Sequence, residues 1–177
     1  MIIIPGFLIA MLTFPGVIVH EAAHQWMCRL TNTPVLKVCY FRVGNPSGYV
    51  IHGKPTSTWN HFYISVAPFI LNTIVAVLIA LPTALASISK SPLQPQDFIL
   101  GWLGISIGMH AIPSSGDAHS LWNAMKEPGT SVFLKIIGFP VTGIILLASV
   151  LKVFWFDAIY AAGICFGLPA LLLDWAA

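Results

Sequence analysis

The chain has 177 residues, of which 57% are apolar and only 8% are Asp, Glu, Lys or Arg. Soluble domains carry roughly 25% charged residues. This composition, with a mean hydropathy of +0.86, therefore excludes an ordinary water-soluble protein and predicts an integral membrane protein in a lipid bilayer. The net charge of +2 is too small to indicate a nucleic-acid partner. The length allows one domain, residues 1–177, with about five membrane-spanning helices of ~20 residues each.

Five apolar segments are candidates for membrane helices. They cover about residues 2–30, 61–86, 98–112, 132–151 and 154–173. The first is interrupted by Pro5 and Pro15, and Pro15 should kink it about one turn before His20. The third is short for a full crossing, but Gly104 and Gly108 let another helix approach closely. We predict an all-α polytopic membrane protein with about five transmembrane helices.

The polar stretch between the first two segments, residues 31–60, predicts a short β-hairpin. Residues 35–43 are rich in β-branched and aromatic side chains, and residues 49–52 resemble a return strand. The Asn-Pro-Ser-Gly sequence at 45–48 is typical of a turn. An irregular loop at the membrane surface explains the same residues equally well.

His20, Glu21 and His24 form an H-E-x-x-H motif inside the first apolar segment. On a helix, positions i and i+4 share a face, so both imidazoles can reach one metal ion, and Glu21 can reach a water bound to that metal. Ionisable side chains are rare in hydrocarbon without a functional role. The motif favours a metal-dependent hydrolase. The alternative is a pair of buried histidines satisfied by hydrogen bonds between helices.

A catalytic zinc site uses three protein ligands, so the motif needs one more. The candidates are Asp117, His119 and His110, and Asp117 is favoured because the Pro and Gly residues of segment 112–119 can turn its carboxylate inward. Asp117 could instead be the N-cap of a helix beginning at Ala118, and both roles are compatible. If Asp117 is the third ligand, His119 would orient a ligand or stabilise the transition state. His110 and His119 could also line a polar water path.

The distribution of Lys and Arg predicts the orientation in the membrane. If residues 31–60 are cytoplasmic, six of the eight basic residues lie on the cytoplasmic side. They are Arg29, Lys37, Arg42, Lys54, Lys126 and Lys135, whereas Lys90 and Lys152 lie on the other side. This predicts an N-terminus outside and an active site toward the cytoplasmic side.

These motifs resemble those of the site-2-protease-type intramembrane zinc metalloproteases, especially the small members of that family. Family members carry H-E-x-x-H in one transmembrane helix and an aspartate two helices later, after a break that contains proline. Here Pro113 and Asp117 look like the second motif, with Ala118 in place of the usual glycine. The family's Gly-Pro-x-x-Asn element resembles residues 67–72, although Asn72 comes one position late. The resemblance covers roughly residues 1–125, and residues 131–177 add two C-terminal membrane helices.

The resemblance implies one Zn²⁺ per chain, held by His20, His24 and Asp117, with Glu21 as general base. The implied substrate is a membrane protein cleaved in or near a transmembrane segment. Asn72 would bind substrate backbone, unless it joins two helices by buried hydrogen bonds. The hairpin could hold an unwound substrate by β-strand addition.

Three other functions fit parts of the same pattern. One is a membrane protein that binds or transports metal without proteolysis, and another is a catalytically silent relative that regulates membrane partners. The third is a haem- or quinone-binding protein, in which the ligands would be drawn from His20, His24, His61 and His110. The sequence leaves the oligomeric state open.

Overall fold

The computed structural model describes residues 6–176, and 74% of the chain is helical. The helices are α1 (Gly6–Leu12), α2 (Phe14–Leu30), α3 (Thr58–Ile88), α4 (Pro95–Met109), α5 (Ser115–Lys126), α6 (Val132–Leu151), α7 (Phe156–Ala162) and α8 (Leu168–Ala176). The strands are β1 (Val35–Cys39) and β2 (Tyr49–His52). A 3₁₀ turn at Lys152–Phe154 follows α6, and a π-helical turn at Gly163–Gly167 joins α7 to α8. The mainly helical class and the hairpin are confirmed. The predicted start of the first span at residue 2 and the break at Pro5 lie outside the described residues.

Three helical stretches are long and apolar enough to cross a membrane, which indicates a membrane protein. They are Thr58–Ile88, Val132–Phe154 and Phe156–Trp175. The pair α1 and α2 makes a fourth candidate if it is one span, although its two helices are bent by 92°. α4 has 15 residues, fewer than the roughly 20 that a crossing needs. The five predicted spans are therefore not confirmed, and the orientation stays a prediction.

The bend in the first apolar segment lies at Thr13, not at Pro15 as predicted. Pro15 stands in the first turn of α2, where a missing backbone N–H interrupts no helix bond. The Thr13 hydroxyl donates to the Ile9 carbonyl at 2.7 Å and lies 2.8 Å from Nε2 of His110. The bend is thus held by a tertiary contact with the end of α4, which the local sequence does not reveal.

The hairpin is shorter than predicted on its first strand, which ends at Cys39 opposite Tyr49. The connection at residues 40–48, which we call the hairpin loop, folds back toward α2. Nε of Arg42 donates to the carbonyl of Pro46 at 2.9 Å, and the Tyr40 hydroxyl donates to Gln25 of α2. The loop is therefore held both by its own polar contacts and by the helix that carries the H-E-x-x-H motif.

Small residues bring α2, α3 and α4 into close contact. A Cβ at Gly16 would lie 2.0 Å from the carbonyl oxygen of Ser106, and one at Gly104 would lie 2.6 Å from Cβ of Ala80. A Cβ at Gly108 would meet α7 at 2.9 Å. The close approach predicted from Gly104 and Gly108 is confirmed, and α2 is pressed against the end of α4.

The two C-terminal helical stretches both contact α3. Near the start of α3, the Trp59 ring lies 6.1 Å from that of Phe133 in α6. At the middle of α3, Oγ1 of Thr73 lies 2.6 Å from the Tyr160 hydroxyl in α7. The first turns of α7 therefore lie beside the middle part of α3.

Candidate metal centre

Two elements bring three ligand-type side chains together. His20 and His24 come from one face of α2, and Asp117 comes from the first turn of α5. One potential ligand atom from each of the three lies within 4.8 Å of the others. His24 is buried, and the other two are partly buried. The triad predicted from the sequence is thus brought together in space by chain segments more than ninety residues apart.

Backbone carbonyls set the tautomer of both histidines. Nδ1 of His20 lies 2.6 Å from the carbonyl oxygen of His110, and Nδ1 of His24 lies 2.9 Å from that of Ile64. A carbonyl oxygen can only accept, so each Nδ1 donates, and each neutral ring keeps its lone pair on Nε2. Metal-binding histidines are oriented in this way. Both rings are prepared to bind a cation through Nε2.

His24 and Asp117 face each other at the centre of the triad. Nε2 of His24 lies 3.5 Å from Oδ2 of Asp117. Burial would raise the pKa of Asp117, but the hydrogen bond and charge of His24, with further contributions from His20 and Ser114, hold that pKa well below its usual range. A carboxylate and an imidazole lone pair need a cation between them, either a proton or a metal ion. Ligands 2.0–2.1 Å from a tetrahedrally coordinated metal ion are about 3.3 Å apart, so the distance between these two atoms leaves room for a metal ion.

A capping box fixes the carboxylate of Asp117. Both the backbone N–H and the hydroxyl of Ser114 donate to Oδ2, at 2.9 and 2.6 Å, and the Asp117 N–H donates back to the Ser114 hydroxyl at 3.1 Å. The helix begins at Ser115 with Ser114 as N-cap, so Asp117 is not the N-cap of a helix that begins at Ala118. The two bonds that Ser114 donates both end on Oδ2, the oxygen that also faces Nε2 of His24, so the carboxylate keeps Oδ1 as a further possible ligand atom. Capping and metal binding are compatible.

Glu21 lies under the hairpin loop. Its side chain is buried, and a Cβ built on Gly48 would lie 2.7 Å from Cγ and 2.9 Å from Oε1 of Glu21. Only glycine permits this approach without a shift of the loop or of the Glu21 side chain. The turn predicted at residues 45–48 therefore also covers the candidate general base, a contact that no local pattern could reveal.

A cavity of about 910 Å³ connects the triad with Glu21. Its walls come from α1, α2, the hairpin loop, residues 109–117 and the turn after α6. Lys152 of that turn and Asp157 of α7 line it, although the distribution of basic residues placed Lys152 on the opposite side from the site. The structure instead brings Lys152 to the cavity of the site, where its Nζ donates to the carbonyl of Ile112 at 3.4 Å.

The other predicted site residues do not join the triad. His119 is exposed and is not among the residues that line the cavity. The ring of His110 contacts Thr13, and its carbonyl is the acceptor for His20. His110 lines the cavity, but the metal-binding group of the described residues contains neither it nor His119.

Asn72 is completely buried, and its side chain contacts the backbone of segments next to the triad. Its Nδ2 lies 3.2–3.4 Å from the carbonyl oxygens of Gly16, Ile107 and His110. The alternative in which Asn72 joins helices by buried hydrogen bonds therefore has direct support. Because the His110 carbonyl also accepts from His20, Asn72 holds the acceptor that orients a candidate ligand.

Comparison of the chain with protein-family models, curated proteins and solved structures finds no match. What the fold and the site define is a class: a helical membrane protein with two histidines and a carboxylate converging beside a buried glutamate.

Proposed function

We propose that this protein is an intramembrane zinc metalloprotease that hydrolyses peptide bonds in or near transmembrane segments of membrane proteins. The observation that carries the proposal is the convergence of His20, His24 and Asp117 within 4.8 Å. Both histidines present Nε2, and the fixed carboxylate faces one of them at 3.5 Å.

The donor set suits one Zn²⁺ per chain. Two imidazoles and one carboxylate form a known catalytic zinc ligand set that leaves a fourth position for water or substrate. When bound there, zinc supplies a water of near-neutral pKa and polarises the carbonyl of the substrate. The carbonyls of His110 and Ile64 orient the two imidazoles, and Ser114 holds the carboxylate of Asp117.

Glu21 acts as the general base. It follows His20 directly in α2 and lines the same cavity as the triad. Its carboxylate takes a proton from the attacking water and later delivers it to the amine that leaves. The hairpin loop covers Glu21 at Gly48, which shields the carboxylate from bulk solvent and limits proton exchange during the reaction.

The hairpin supports a peptide as the substrate. A transmembrane helix hides its carbonyls in internal hydrogen bonds, so the segment to be cut must first unwind. A two-stranded sheet has open edges, and an unwound segment can pair with one of them by β-strand addition. Leu36 and Ile51 of this sheet are exposed, at 68% and 47%, and provide apolar contacts for such a segment.

The test compares wild type with Glu21→Gln and His24→Ala, purified in detergent and reconstituted with a panel of synthetic transmembrane peptides. Wild type should carry about one zinc per chain and cleave at least one peptide. Glu21→Gln should keep the zinc and lose cleavage, because only the base is removed, whereas His24→Ala should lose both.

Cleavage by Glu21→Gln, or a wild-type protein that binds no metal, would reject the proposal. Zinc flux into proteoliposomes without cleavage would instead identify a transporter.

A further inference from the structure

The chain breaks between α6 and α7 at the wall of the cavity. A 3₁₀ turn at Lys152–Phe154 leads to Trp155, which has left-handed backbone angles of φ 61° and ψ 28°. Such angles are uncommon for a bulky residue. The break is therefore a specific feature, and it lies on the cavity of the metal centre.

This turn places an ammonium group in the cavity. Among the described residues that line the cavity, Lys152 is the one lysine or arginine. Its Nζ donates to the carbonyl of Ile112 at 3.4 Å, a long contact that uses one of three donors. Within residues 6–176, no Asp or Glu oxygen lies within 4.0 Å of this Nζ.

The nearest acid along the chain, Asp157, attracts Lys152 but does not pair with it directly. Oδ1 of Asp157 accepts from the N–H of Ala158 at 2.9 Å, and no ion pair forms with the lysine. A partly buried charge in a membrane protein is costly unless it is paired. The remaining donors of Lys152 are therefore suited to an anion that enters the cavity.

The position of Lys152 relates it to the reaction. Its acceptor, Ile112, comes two residues before Ser114, which caps Asp117, and two residues after His110, which orients His20. The ammonium thus borders the segment that carries the third ligand. A ligand held by Lys152 would lie in the same cavity as the triad and Glu21.

We propose that Lys152 forms an anion subsite of this cavity and binds a carboxylate of the peptide substrate. The identity of the ligand as a peptide rests on the proposed function. The carboxylate can be an Asp or Glu side chain or the C-terminus of the peptide. A lysine suits either source, because its ammonium is a point charge with rotatable donors.

The test measures binding, so that it does not depend on turnover. The protein is full-length Glu21→Gln, zinc-loaded or stripped with chelator, because a carboxylate can also bind the metal directly. Three fluorescent peptides share one apolar sequence. The first has an internal Glu and an amidated C-terminus, the second has Gln and an amidated C-terminus, and the third has Gln and a free C-terminus.

At least one carboxylate peptide should bind about tenfold more tightly than the neutral peptide, with and without zinc. The internal-Glu and free-C-terminus peptides distinguish the two sources. Lys152→Met should abolish the preference, and Lys152→Arg should restore most of it. Lys54→Met removes a lysine that is 78% exposed and should leave the preference unchanged.

Equal binding of all three peptides, no binding of any, or a preference that survives Lys152→Met would overturn the subsite. The two proposals fail separately. Cleavage of the neutral peptide by wild type without a Lys152-dependent preference rejects the subsite alone. A Lys152-dependent preference in a wild type that never cleaves rejects the hydrolase alone.

Discussion

Two histidine pairs in this protein look alike but have different surroundings. The rings of His20 and His24 lie edge to face with centroids 4.9 Å apart, and those of His52 and His61 do so at 6.4 Å. In the first pair, both Nδ1 atoms bond to backbone carbonyls, and Nε2 of His24 faces the Asp117 carboxylate.

The second pair has its polar atoms engaged differently. Nδ1 of His52 lies 2.8 Å from the carbonyl of Gly53, and Nε2 of His61 lies 3.0 Å from the Ser120 hydroxyl. Within the described residues, this pair belongs to no metal-binding group. The difference teaches that a close histidine pair is not enough for a metal site. In the first pair both Nε2 atoms are left for a cation and a carboxylate faces one of them, whereas in the second pair Nε2 of His61 is bonded to Ser120.

Removal of the acidic partner should have the largest effect. Loss of a group that hydrogen-bonds to a metal ligand typically lowers metal affinity roughly 10–100-fold. Asp117→Ala removes a ligand itself, so zinc affinity should fall by more than this, and cleavage should be lost with it. The measurement is metal content of the purified protein by atomic emission. His61→Ala, in the second pair, is the matched control and should keep about one zinc. Stoichiometric zinc in Asp117→Ala would remove the distinction between the pairs.

Displacement of the hairpin loop should affect turnover more than metal binding. Gly48→Ala places a methyl group against the Glu21 side chain, so either the loop or the carboxylate must move. A shift of about 1 Å at a reacting group can lower the rate by up to about 100-fold. We expect a loss of that order in kcat, with zinc content unchanged. Gly143→Ala, where a Cβ meets nothing within 4 Å, should retain wild-type activity. Equal rates for the two variants would show that the loop does not position Glu21.

Removal of a residue that holds a hydrogen-bond partner of either histidine pair should have the smallest effect on zinc binding. Asn72→Ala frees the His110 carbonyl that orients His20, and zinc affinity should fall about tenfold. Ser120→Ala removes the partner of His61 and should leave zinc affinity unchanged. Competition titration with a zinc chelator measures both, and size-exclusion profiles check that both variants fold. An unchanged affinity in Asn72→Ala would limit its role to helix packing.

Local chemistry alone was enough for several features. Composition determines that apolar helices face lipid, because water cannot solvate such a surface. The four-residue spacing of His20 and His24 determines that they share a helix face, since the helical period is a local property. The turn at residues 45–48 and the two strands beside it follow from β-branched residues and turn chemistry in the same way. Asp117 was identified as a candidate third ligand because it follows a helix break that contains Pro113.

Contacts between distant segments decided the rest. The bend at Thr13, the tautomers of His20 and His24 and the cover over Glu21 all depend on groups from other elements. The position of Lys152 depends on such a contact too, because the turn after α6 brings it to the carbonyl of Ile112 at the cavity wall, although the count of basic residues placed it on the side away from the site. Helical period and hydropathy act within a few residues, so the sequence by itself determined which residues could bind a metal. Which atoms meet at the centre is decided by packing between helices far apart in the chain.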